Sequence, residues 1–287
     1  MERTSPQDFR EIYREFGYDE AVSEDETTLS YVYQLDPMTR LLMLDTCQYR
    51  QGYAQVGGAI LTETYDWIEE QLEAAWEEGM NVIPVAHHNL LEESEVYTVD
   101  CTIEHSEQLV EILAAWNINI FLSGHLHVQH WMEEEDNNLY EIVTSSMTTP
   151  DCRYGFLTYR DDCSFSYHTK ELDVEGWARK NGRTEEELLH FNDFREPFLE
   201  QVFKNDAYGV LQHMEEITEE ERLLMCDYYA RLNYKYYQGK AVEIREDALV
   251  DEAYALWDSK GYITVLRDYV VSILNDADRD YNRLEVE

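Results

Sequence analysis

Basic residues are scarce in this chain. Its 22 Lys and Arg stand against 61 Asp and Glu, a formal net charge of -39 over 287 residues. A surface that negative repels polyphosphate backbones and anionic headgroups, so no nucleic acid and no lipid surface is an expected partner. It attracts divalent cations, and its simplest origin is a set of solvated helix faces. Cysteine is sparse too. Cys47, Cys101, Cys152, Cys163 and Cys226 are odd in number, scattered and without a C-x-x-C pair. That argues against a disulfide framework or a zinc ribbon and leaves buried thiols as the expectation. No membrane segment and no apolar leader is present, so the sequence assigns no compartment. What is present is enough apolar material for a core: 44% hydrophobic and 13% aromatic residues argue against disorder. The length allows one large domain, or a medium one with a smaller appendix.

"SPQDFREIYREFGY" reads as a helix, with Ser5 as N-cap, Pro6 at its first position, and Phe9, Ile12, Tyr13 and Phe16 as its apolar face. "TLSYVYQLDPMTRLLMLDTC" reads as a hairpin with an Asp-Pro turn. "TETYDWIEEQLEAAWEEG" is an amphipathic helix carrying Trp67, Ile68, Leu72 and Trp76, with Gly79 as its stop. The strand "NVIPVA", the helix "SEQLVEILAAWN" and the strand "INIFLS" then alternate in the α/β manner, the helix crossing between neighbouring strands. From about residue 129 two antiparallel hairpins are expected, with "EEEDNN" as a solvated tip. After about residue 173 only helices are expected, two of them opening on Thr-Glu-Glu-Glu. The tyrosines of "DYYARLNYKYYQG" have helical spacing and are read as core. The chain therefore divides at 1–175 and 176–287, with no internal repeat and no low-complexity linker.

Both buried strands finish in histidine. His87 and His88 follow "NVIPVA"; His125 and His127 follow "NIFLSG". Parallel strands of an α/β sheet present ligand sites at their carboxyl ends, and imidazole is a common ligand for Zn, Fe and Mn. Gly124 is expected to supply the sharp turn that aims both flanking imidazoles at one point. A lone H-x-H occurs by chance. One that follows a buried strand and a Gly, with His-His on the preceding strand, is a stronger signal. The other histidines carry plainer expectations: an edge-strand surface for His130, a helix start for His105, and no role for His168, His190 and His213. Asn89 is read first as a loop residue, and Asp45, ending "LLMLD", as a turn or cap.

These blocks resemble the calcineurin-like metallophosphoesterases. "VAHHNL" matches that family's strand-terminal histidine motif and "GHLH" its G-H-x-H motif; "GGAILTETYDWIE" matches a Gly-led loop that opens a helix. The helical tail is similar to that of a bacterial, cyclic-nucleotide phosphodiesterase-like subgroup. The resemblance implies an α/β chain, an incomplete α+β sandwich of the metallophosphoesterase type, followed by an all-α C-terminal domain. It implies hydrolysis of a phosphoester, phosphodiester-type, by a divalent metal (Mn, Fe or Zn). His87 and His125 would ligate one ion and His127 a second, with His88 and Asn89 close to substrate. The family's D-x-H, G-D-x-x-D and G-N-H-[DE] blocks do not occur, so the expectation is a truncated chain that hydrolyses poorly alone. Two alternatives stand beside it. One is a non-catalytic interaction or oligomerisation module, with a homo-oligomer covering an exposed sheet edge. The other is a protein holding one metal through its histidines.

Overall fold

The fold was examined in a computed structural model that describes residues 4–49, 55–262 and 264–287. Helix α1 (Pro6–Ile12) is capped as its sequence predicts: the Ser5 hydroxyl accepts the Asp8 N–H at 3.1 Å, and the Asp8 carboxylate accepts the Ser5 N–H at 3.1 Å. Its apolar face does not enter the core. Phe9, Ile12, Tyr13 and Phe16 are all exposed, and Phe9 stacks on Tyr13 at 4.5 Å.

The strands β1 (Ala21–Glu24), β2 (Tyr31–Asp36) and β3 (Thr39–Met43) form an antiparallel ladder. Helix α2 (Thr62–Glu78) crosses to β4 (Asn81–Val85), and α3 (Ser106–Ala115) crosses to β5 (Ile120–Ser123). The hairpin β6 (His130–Glu134) and β7 (Leu139–Val143) follows. These strands make one sheet in the order β1-β2-β3-β4-β5-β7-β6, parallel from β3 through β7 and antiparallel at both flanks. The parallel strands are buried on both faces, which is why they read as continuous apolar runs. On one face Leu42, Val82 and Phe121 pack with Ile68 and Leu72 of α2 and Leu109 and Leu113 of α3. On the other, Ile83, Ile120 and Ile142 meet Phe165, Tyr167, Leu284 and Val286 of a second sheet. That sheet joins β8 (Arg153–Tyr159) and β9 (Phe165–Glu171) to a third strand from the far end of the chain.

The helical part runs α4 (Val174–Lys180), α5 (Glu186–Leu189), α6 (Phe191–Leu211), α7 (Glu219–Tyr237), α8 (Arg245–Val250), α9 (Glu252–Lys260) and α10 (Val265–Asp276). Tyr228, Tyr229, Tyr234 and Tyr236 of α7 pack with Trp257 and Ile273, so the tyrosine stripe is core as expected. The all-helical expectation after about residue 173 holds through α10, and Ile263 lies outside the described residues. Its end is corrected: strand β10 (Arg283–Val286) pairs antiparallel with β9, Arg283 opposite His168 and Val286 opposite Phe165. The reason is visible in "RLEV", where Leu284 and Val286 are buried while Arg283 and Glu285 are exposed, the alternation of a half-buried strand. The mixed α/β sheet with a helical C-terminal region is thus present. All five cysteines are free; Cys152 and Cys226 are buried, whereas Cys47 is exposed. No described helix is long and apolar enough to cross a membrane.

Candidate functional site

Two turns leave the carboxyl ends of β4 and β5 side by side. Val85 sits in register with Leu122, the Ala86 N–H donates to the Leu122 carbonyl at 3.0 Å, and the Gly124 N–H donates to the His87 carbonyl at 3.1 Å. The chain then bends through His125 and His127, both left-handed, at φ of 63° and 61°. Gly124 is not the residue that turns, contrary to expectation. Its φ is ordinary, and a Cβ on it would meet only van der Waals contacts. The strained conformation rests on the two histidines, and backbone strain of that kind gathers where side chains must be aimed.

The bend brings His125 Nδ1 to 2.9 Å from His87 Nε2. Rings of His88 and His125 lie 4.6 Å apart, and those of His87 and His125 4.9 Å. Burial pushes the His125 imidazole down to about 4, helped by the neighbouring His88, His87 and His127. Burial, with His88 and His127, also lowers His87. Both rings are therefore neutral at ordinary pH, and in the bond between them one nitrogen donates its N–H while the other accepts. His127 is exposed.

His88 and Asn89 are turned inward. His88 is buried; its Nε2 donates to the Val56 carbonyl at 2.7 Å, so its Nδ1 accepts from the Thr46 hydroxyl at 2.7 Å. Gly58 lies against this ring so closely that a Cβ would stand 2.4 Å from His88 Cγ. Asn89 is fully buried; its Nδ2 donates to the Ser123 hydroxyl at 3.0 Å and to the Gly124 carbonyl at 3.2 Å. These contacts give both residues work in holding the turns, and neither offers a free ring nitrogen or amide nitrogen at the surface. Asp45 accepts from the Cys47 and Leu29 N–H groups and from the Tyr49 hydroxyl, which is the turn role expected of it.

Sequence reasoning missed the polar chain beneath the turns. Glu141 of β7 is fully buried, and its Oε1 and Oε2 accept the Leu90 and Leu91 N–H groups at 2.8 and 2.5 Å. It also accepts the Ser123 hydroxyl and hydrogen-bonds Glu93. Burial and the Glu93 charge push the Glu141 carboxyl well above its usual range, which favours its protonated form as the hydrogen-bond partner of Glu93. Glu93 in turn pairs with Nδ1 of His130, whose Nε2 meets Asp276 of α10 at 3.0 Å. His130 is corrected here. It is not on an edge-strand surface but sealed inside, 3% exposed. Burial alone would lower its imidazole; Glu93 and Asp276 outweigh that and raise it to about 10. Of the remaining histidines, His105 opens α3 as expected, His168 stacks on Phe156, and His190 is exposed.

The donors fit a metal only in part. Two imidazole nitrogens 2.9 Å apart are spaced like neighbouring ligands that each stand about 2.0–2.1 Å from one ion. Yet among the described residues no three His, Cys, Asp or Glu side chains come together to hold an ion. Among the described residues no carboxylate joins these histidines in a metal-binding group, so they do not fit a two-metal centre, which needs a bridging anion.

Comparison with known proteins bears on the two parts of the chain differently. Residues 173–280 match the family model for the C-terminal domain of cyclic nucleotide phosphodiesterase. No curated protein matches the sequence. Among solved structures, a dimetal phosphatase from Danio rerio is similar at 12% identity and a TM-score of 0.38, over 50% of this chain. The chain spans 57% of that phosphatase. The class defined so far is an α/β sheet sandwich joined to a helical region. That helical region is similar to the C-terminal domain of cyclic nucleotide phosphodiesterase.

Proposed function

We propose that the chain is a phosphoester hydrolase of metallophosphoesterase lineage, directed at phosphodiesters, and that alone it is a poor catalyst. The observation that carries the reading is the convergence of His87 Nε2 and His125 Nδ1 at the ends of two adjacent parallel strands. The match of residues 173–280 to a phosphodiesterase domain supports the substrate class. The division at 1–175 and 176–287 belongs to the same proposal, except that β10 of the second part returns to the sheet of the first. His87 and His125 would hold one divalent ion, with the exposed His127 able to reach a ligand from the rim. Bound there, the ion would supply a Lewis acid for a phosphoryl oxygen. The chain's own residues would hold the two rings neutral and aimed, through the turns described above. No step through a second metal is derived, because no bridging carboxylate is present among the described residues.

Elemental analysis of the purified protein, with hydrolysis of bis-p-nitrophenyl phosphate in added Mn2+ on the same sample, tests this. The expected result is at most one ion per chain, lost in His125→Ala, with weak turnover. Two ions per chain with rapid turnover would show that further ligands complete the centre and that the poor-catalyst reading is wrong. Metal retained by His125→Ala would remove the histidine site altogether.

A second reading, an interaction module working as a homo-oligomer, is favoured by two features. The exposed aromatic face of α1 and the outer edge of β8 both lie open.

A further inference from the structure

We propose that Glu141 is the positioning residue of the histidine pair, fixing from within the sheet the two turns that bring His87 and His125 together. The inference rests on the reading that this pair takes a divalent ion. Glu141 occupies a place where a carboxyl is out of keeping. Leu139 and Val143, two residues away on the same face of β7, are fully buried and apolar. A parallel strand buried on both faces is ordinarily apolar throughout, and a carboxyl there gives up its hydration and must replace it with hydrogen bonds.

Apart from its bond to Glu93, its replacements come from the histidine turns. The Leu90 and Leu91 N–H groups belong to the chain just after His87 and His88. The Ser123 hydroxyl belongs to the residue before Gly124 and His125. Ser123 also receives Asn89 Nδ2, which ties the first turn to the second directly above the carboxyl. One side chain thus bonds both turns at once. An apolar residue in its place would fill the volume and leave two buried N–H groups without acceptors.

Glu141→Gln tests the idea at constant shape. The amide oxygen can still accept from Leu90 and Ser123, but its NH2 is turned against the Leu91 N–H. Leu113→Ala, in the core of α3, serves as a control that lowers stability without touching either turn. Long-range proton–nitrogen spectra of the imidazoles, on metal-free protein well below its melting point, report the His87–His125 hydrogen bond. Zn2+ titration reports the site. In Glu141→Gln the paired ring signals should revert toward those of free imidazole, and Zn2+ affinity should fall about 10–100-fold. Leu113→Ala should change neither.

Ring signals that move no further in Glu141→Gln than in Leu113→Ala overturn the proposal. If Glu141→Gln does not fold, Ser123→Ala replaces it, and unchanged ring signals there overturn the proposal equally. A wild-type protein with paired rings but no Zn2+ binding overturns the proposed function instead. In that case the ring signals alone decide the role of Glu141.

Discussion

His130 has Glu93 on its Nδ1 and Asp276 on its Nε2, and burial seals all three from water to different degrees. Its folded imidazole stands near 10, above the ordinary value of about 6.5. Stability from this pairing is therefore complete below about pH 6.5 and is lost as pH rises toward 10. The melting temperature of the wild type should fall across that window, and in His130→Gln the fall should flatten; equal slopes would show that the pairing is not what titrates. At neutral pH the substitution should cost about 3–5 kcal/mol, since it leaves a carboxylate buried without its counter-ion. The approach of His87 to His125 was legible from their places at the ends of two strands. His130 was not, because its partners are 37 and 146 positions away and nothing local marks them. Glu141 was hidden for the same reason. A single Glu in a strand reads as a solvent-facing residue until the turns above it are placed.

Among elements, two helix starts were legible, whereas the Thr-Glu-Glu-Glu at Thr184 does not cap α5, which has Glu185 at its N-cap and no side-chain bond there. Thr218 caps α7 with the reciprocal Glu221 bond that Thr-Glu-Glu-Glu announces, and Ser5 does the same for α1. Burial was less legible than helicity. The face of α1 has helical apolar spacing yet looks outward, since periodicity says which residues share a face and not what covers it. The last strand was missed because "DADRDYNRLEVE" is too polar and short to compete with the helix before it. Its contribution is nonetheless measurable. Leu284 is nearly buried against the main sheet, so Leu284→Ala should cost about 2–5 kcal/mol by thermal unfolding. A change below about 0.5 kcal/mol, the level of an ordinary surface substitution, would mean that β10 is not seated on β9 in solution.

For the whole molecule the governing quantity is charge. With a formal net charge of -39, two copies repel each other before any apolar surface can meet. If the α1 face or the β8 edge is an interface between copies, association must depend on screening. Raising salt from about 0.01 M to about 1 M shortens the Debye length from about 30 Å to about 3 Å. Sedimentation velocity should then show a monomer at the low end and self-association at the high end. A monomer throughout would set the oligomer reading aside.

The return of β10 to the second sheet changes what the helical region is. Helices α4 to α10 are not an appendix hung on the end of a finished sandwich. They are a loop, of more than a hundred residues, inserted between two neighbouring strands of one sheet. A cut made between the two parts, near residue 175, would leave the sandwich with a strand that belongs to the other fragment. Each piece would keep a ragged edge that only the other fits, and the two should stay together after proteolysis as a nicked whole.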